Sequence, residues 1–176
     1  MIKSVFVATY VLLAIMLWKT AKYSGIPKMV SDTYYQLRET KEESIFSAIM
    51  TSVSITTLFA LCSCAKSVGN ELFAIIGCIG LLFVALAPNY LDKHSYKIHK
   101  AGAIVAAIGC VGWCVNVCPY PTFIILGAYI LYLIYINIAK RVNKMWHLTA
   151  NIPEYHPWYW AEVAGFLDVY ITYAIV

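Results

Sequence analysis

Charged side chains are scarce in this sequence. Asp, Glu, Lys and Arg make up 12 % of its 176 residues, where roughly 25 % is usual for a soluble domain. Hydrophobic residues reach 61 % and mean hydropathy is +0.71. This excludes an ordinary water-soluble globular protein. Short segments of alternating polarity are absent, which excludes a transmembrane β-barrel. Neither a glycine-rich phosphate loop nor a nucleophile elbow occurs, so ATP hydrolysis and serine hydrolase chemistry have no support. An internal repeat and a pair of broken helices, the marks of many transporters, are also missing.

Long apolar runs fill the chain instead. A helix rising about 1.5 Å per residue needs roughly 17 to 25 apolar residues to cross a bilayer. Six segments approach or reach that length: Ile2–Trp18, Ile45–Ala65, Glu71–Tyr90, Lys100–Cys118, Pro121–Ala139 and Trp158–Val176. The expected fold is all-α, an integral membrane bundle of six transmembrane helices in one domain spanning 1–176. The first segment follows Lys3 as a secretory signal would, but it ends in Leu17, Trp18 and Lys19 without a small-residue cleavage site. A retained span is the better reading.

The connections divide the molecule into two faces. Lys66–Asn70 and Cys118–Pro121 are short, whereas the connections after the first, third and fifth segments are long and polar. Those three carry Lys19, Lys22, Lys28, Arg38, Lys41, Lys93, Lys97, Lys100, Lys140, Arg141 and Lys144, which is 11 of the 13 Lys and Arg residues. Positive-inside bias puts these odd-numbered loops in the cytoplasm and both termini outside, and the expected location is a bacterial inner membrane. The net charge of +4 resides in these clusters, which suit anionic lipid and imply no nucleic acid. His94, His99, His147 and His156 lie on the same polar face, with Asp32, Asp92 and Glu154.

The histidines and cysteines show no metal or haem pattern. His94 and His99 are five residues apart, about 140° around a helix, so one helix does not present both to one ion. A zinc site built from His99 with His147 or His156 has no spacing signature, and haem between helices would want histidines well inside two spans. No cofactor is expected. Cys62 and Cys64 lack the spacer of a zinc knuckle, and Cys110, Cys114 and Cys118 recur along one helical face as small packed hydrophobes do. Cys64 and Cys118 both fall near the short-loop face, where a disulfide is the minority alternative.

Small and hydroxyl residues read mainly as packing. Gly102, Ala106 and Gly109 form a stripe on the fourth span, Gly77 and Gly80 mark the third, and Ser47, Thr51 and Ser54 line one face of the second. Two carboxylates fit that reading less well. Asp168 lies about 12 Å from the end of the last segment, at a depth where an unpaired carboxylate is costly. Asn116, the hydroxyls of the second span and tyrosines are its expected partners. Glu162 is nearer the interface, within reach of headgroups. Tyr155, Trp158, Tyr159 and Trp160 read as an interfacial aromatic belt. Asp92 is placed to cap a helix beginning near Lys93.

Two stretches carry a family resemblance. Ile26–Ser47 reads IPKMVSDTYYQLRETKEESIFS and His99–Ala103 reads HKAGA. Pro27 followed by Ser31-Asp32-Thr33, an Ile-Phe pair opening the second span, and His99 three residues before Gly102-Ala103 resemble the six-span family of the damage-regulated autophagy modulators and a remodelling protein of GPI-anchored lipids. A prokaryotic membrane domain of unknown function is similar in layout. Tyr34 stands where the family has glycine, and the family's first loop is drawn facing away from the cytosol. The resemblance implies a lipid-associated protein whose first loop meets the fourth helix on one face. An Asp32–His99 pair there would suit acid–base work or recognition of phosphate and hydroxyl groups.

Three functions follow from these expectations. The first is a lipid-handling protein, binder or enzyme, with Ser31, Asp32, Thr33, His99, Glu154, Glu162 and Asp168 around a polar cavity on the odd-loop face. Asp32, His99 and Asp168 are its candidates for chemistry. The second is a non-catalytic membrane subunit or scaffold that docks a membrane protein or a second copy. The third is a small proton-coupled transporter using Asp168.

Overall fold

The structure, a computed structural model, describes residues 1–140 and 155–176. Among the described residues seven α-helices follow one another and no strand occurs. They are α1 (Ile2–Ser24), α2 (Thr33–Glu39), α3 (Glu43–Ser63), α4 (Val68–Leu86), α5 (Lys93–Val117), α6 (Pro119–Lys140) and α7 (Pro157–Ile175), with a 3-10 turn at Val30–Asp32 leading into α2.

Five of these helices, α1, α3, α4, α5 and the Pro119–Ile138 part of α6, are long and apolar enough to cross a membrane. With 19 residues α7 has the length, but Glu162, Asp168 and its tryptophans and tyrosines leave it less apolar than the other five. The sixth span expected at Trp158–Val176 is therefore a helix of spanning length without their composition.

Local chemistry sets the boundaries. Gly25 closes α1 with φ 82°, a left-handed conformation that costs glycine nothing. That end lies six residues beyond the Trp18 boundary expected from hydropathy, because Lys19–Ser24 is polar but helical. Ser67 accepts a hydrogen bond from Asn70 N–H at 3.2 Å and caps α4. Asp92 sits at the N-cap of α5, yet its carboxylate makes no capping bond. The helix begins at Lys93, seven residues before the expected span, and so includes both His94 and His99. Pro119 and Pro157 open α6 and α7, where a missing N–H costs little.

The core rests on α1, α3, α4, α5 and α7. Phe6, Phe46 and Trp113 are among its fully buried side chains. Hydroxyls join α1 to α3: Thr9 Oγ1 lies 2.9 Å from Thr56 Oγ1, and Tyr10 Oη 3.3 Å from Thr57 Oγ1. Ser54 donates to Cys78 O on α4 at 2.7 Å, as a membrane helix satisfies a hydroxyl on its neighbour. The closest approach is between α4 and α5. A Cβ built on Gly109 would lie 2.2 Å from Gly77 N, and one on Gly80 would lie 2.3 Å from Ala106 N. Only hydrogen fits there, as the small-residue stripe implied. All six cysteines are free thiols, Cys64 and Cys118 included.

This packing fixes the ends of the helices. The end of α1, the α2 segment, the α4–α5 connection and the starts of α3, α5 and α7 all lie at the odd-loop end of the bundle.

Candidate functional site

The Ser31-Asp32-Thr33 stretch folds onto the odd-loop end as the 3-10 turn and the first residue of α2. Asp32 Oδ2 accepts the Met29 N–H at 3.1 Å, closing the turn. Its Oδ1 accepts a hydrogen bond from the Tyr90 hydroxyl, which comes from the α4–α5 connection, 58 residues away. A second carboxylate reaches the same turn from α7: Glu162 Oε2 accepts the Val30 N–H at 2.7 Å, and the Ser31 N–H faces the same group. The two acids are close enough for Asp32 to act electrostatically on Glu162.

His99 approaches through Tyr90. The two rings lie 5.1 Å apart, and His99 Nδ1 is 2.9 Å from Ala87 O. A carbonyl only accepts, so Nδ1 carries the proton. In the neutral ring this leaves Nε2 as an acceptor. Asp32 and His99 thus do not pair directly: the Tyr90 phenol stands between them. Tyr35 completes the cluster. Its ring meets Tyr90 edge-on at 5.4 Å, and its oxygen accepts the Leu91 N–H at 2.8 Å.

Among the described residues the one ion pair is Lys19–Glu42, at 3.2 Å. No Lys or Arg nitrogen among them lies within that kind of contact of Asp32 or Glu162. Burial pushes the Asp32 carboxyl above its ordinary value of 3.8, and the Met29 N–H and the nearby Lys28 charge pull against this. Two more polar atoms adjoin the Asp32–Tyr90 bond in the chain. The Thr33 hydroxyl, in a fully buried residue, and Asn89 Oδ1 are both buried without a hydrogen-bond partner.

Asp168 belongs elsewhere. It lies six residues beyond Glu162 on α7, about 9 Å further along the axis. It accepts the Thr122 hydroxyl of α6 at 3.0 Å and faces Thr172 at 3.5 Å. Neither Asn116 nor the α3 hydroxyls partner it. Asn116 is exposed and donates to Gly112 O on its own helix. Asp168 is buried at the short-loop end, and it shares no cavity with Asp32. An apolar groove of about 410 Å³ runs between α6 and α7 past Ile125, Tyr129, Tyr132, Trp160, Val163 and Leu167. It has none of the polar lining expected of a cavity around the candidate residues.

Glu154 and His147 lie outside the described residues. His94 is exposed, and His156 takes a left-handed conformation, φ 45°, at the start of α7. No group of three or more His, Cys, Asp or Glu residues gathers to hold a metal ion among the described residues. Of the expected belt, Trp158 and Trp160 are exposed whereas Tyr159 is buried. Sequence reasoning missed Tyr35 and Tyr90. The signal available was their position beside SDT and just before DKHSYKIH, but 14 tyrosines in the chain dilute it.

Comparison with known proteins finds no matching family model, no matching curated protein and no matching solved structure.

Proposed function

We propose that the chain is a six-span integral membrane protein of a bacterial inner membrane that holds a lipid headgroup at its odd-loop end. The observation that carries this reading is the convergence on one 3-10 turn of Asp32, Glu162 from α7 and, through Tyr90, His99 from α5. Their burial at the end of a bundle of apolar helices has a cost. Simple structural support would use fewer charges, since one carboxylate suffices to close a three-residue turn. A headgroup lying at that level would use the remaining acceptor capacity of the carboxylates, the Tyr35 O–H and His99 Nε2.

The resemblance of Ile26–Ser47 and His99–Ala103 to the six-span lipid-associated family supports the same reading, as do the basic residues of the odd loops. In this proposal those loops face the cytoplasm and α7 is the sixth span. Asp168 then joins α6 to α7 as a structural contact. Native mass spectrometry of the protein released from mild detergent tests the proposal. A discrete adduct of lipid mass is expected, weakened at least several-fold by Asp32→Asn or His99→Gln. A bare protein, or one that retains only another polypeptide, would favour the scaffold reading and overturn this one.

A further inference from the structure

The unmet hydrogen-bonding capacity at the odd-loop end is mostly that of acceptors. Asp32 and Glu162 are acceptors only when ionised, and each oxygen has more than one acceptor site. Their described donors are the Met29 and Val30 N–H groups and the Tyr90 hydroxyl, with the Lys28 N–H also acting on Asp32 and the Ser31 N–H on Glu162. Asn89 Oδ1 is a buried acceptor with no donor, the buried Thr33 hydroxyl is unpartnered, and His99 Nε2 is left as an acceptor by the Nδ1 contact. Against these, the donors that the cluster leaves over are the Tyr35 and Thr33 O–H groups.

The charge is one-sided too. Two carboxylates from segments 130 residues apart in the chain meet with no Lys or Arg in contact among the described residues. Lys28 acts on Asp32 from an exposed position without an ion pair. Beside the acids lie three rings in edge-to-face sequence: Tyr34 on Tyr35 at 5.3 Å, and Tyr35 on Tyr90 at 5.4 Å. Aromatic faces next to carboxylates suit a cation, above all an ammonium, by cation–π attraction and charge-assisted hydrogen bonds. An anionic group at the same place would face two carboxylates and find few donors.

We infer that the Asp32–Glu162–Tyr90 cluster takes the ammonium of a zwitterionic aminophospholipid, with its phosphate toward the exposed Lys28. The inference rests on the headgroup reading above and narrows it to one chemistry. A membrane source is favoured over a soluble amine because every contributing residue lies at the end of a membrane-spanning helix or in a connection between two of them.

Nanodiscs containing equal amounts of phosphatidylethanolamine and phosphatidylglycerol, read by native mass spectrometry of the protein released from them, test it. Retention of phosphatidylethanolamine in at least several-fold excess is expected. Asp32→Asn should abolish that excess, and Asp168→Asn should leave it intact. Equal or preferential retention of phosphatidylglycerol, still sensitive to Asp32→Asn, would overturn the ammonium assignment and leave a headgroup site. Absence of any adduct sensitive to Asp32→Asn would overturn both. Displacement of the lipid by millimolar free ethanolamine would move the cation to a soluble ligand and overturn the lipid assignment. Should Asp32→Asn fail to fold, the wild-type preference between the two lipids decides alone.

Discussion

Asp32 carries two loads that pull against each other. It closes the turn at Met29 N–H and receives the Tyr90 hydroxyl, yet burial raises its pKa above 3.8. A carboxyl whose folded-state pKa is raised binds its proton more tightly when folded. Its contribution to stability is fully present below 3.8 and is lost as the pH rises through the raised value. Lys28, His99, Glu162 and Tyr35 all face or act on it, so the informative quantity is a difference between proteins. The melting temperature of the wild type should fall relative to that of Asp32→Asn as the pH moves from acid to neutral. Thermal unfolding in detergent across that range measures this, and a difference that stays constant or grows in the opposite sense would contradict it. Asp32, His99 and Glu162 were legible as candidates because a polar side chain beside an apolar run stands out. Tyr90 was not, because the contact that makes it important bridges 58 residues and leaves no local pattern.

Among the elements, the α4–α5 pair is the one whose packing could be read in advance. Glycine at 77, 80, 102 and 109 says that two backbones touch, and the structure brings them together at those positions. Helix ends were harder, since hydropathy falls off before a helix does: Lys19–Ser24 continues α1 and Lys93–His99 begins α5. The partner of Asp168 was illegible for another reason. Thr122 lies on another helix, 46 residues away in the chain, and no local spacing links the two. The glycine contact makes a sharp comparison. Gly109→Ala would set a methyl 2.2 Å from Gly77 N and 2.4 Å from its Cα, and overpacking of this kind costs about 1–3 kcal/mol. Gly127→Ala in α6 meets nothing within 4 Å and should stabilise by about 0.5–1 kcal/mol through helix propensity. Equilibrium unfolding in mixed detergent reads both. Equal effects would mean that α4 and α5 are not held as closely as their backbones indicate. Because Tyr90 and His99 hang from the facing ends of this pair, Gly109→Ala should also weaken the lipid adduct.

For the whole molecule, the number of spans fixes where its ends lie. Among the described residues five helices have spanning length and composition, and α7 has the length alone. If α7 crosses, Met1 and Val176 lie on the same side of the membrane; if it lies along the interface, they lie on opposite sides. Its interior contacts favour crossing. Asp168 is buried against Thr122 near the short-loop end while Glu162 holds Val30 at the odd-loop end, so α7 runs from one end of the bundle to the other. A helix of 19 residues, about 28 Å long, matches a hydrocarbon layer of about 30 Å. In the proposed orientation the basic odd loops lie on the cytoplasmic side. Alkaline phosphatase fused after Val176 should therefore be active in the periplasm, and so should a fusion in the Lys66–Asn70 connection. Green fluorescent protein should fluoresce when inserted after Lys41 or Lys97. Loss of activity after Val176 with fluorescence kept at Lys41 would put α7 outside the bilayer, whereas alkaline phosphatase activity in the Lys41 segment would reverse the bundle. In the first case Glu162 could not bring a carboxylate to the turn from within the membrane, and the cluster at Asp32 would lose its second acid.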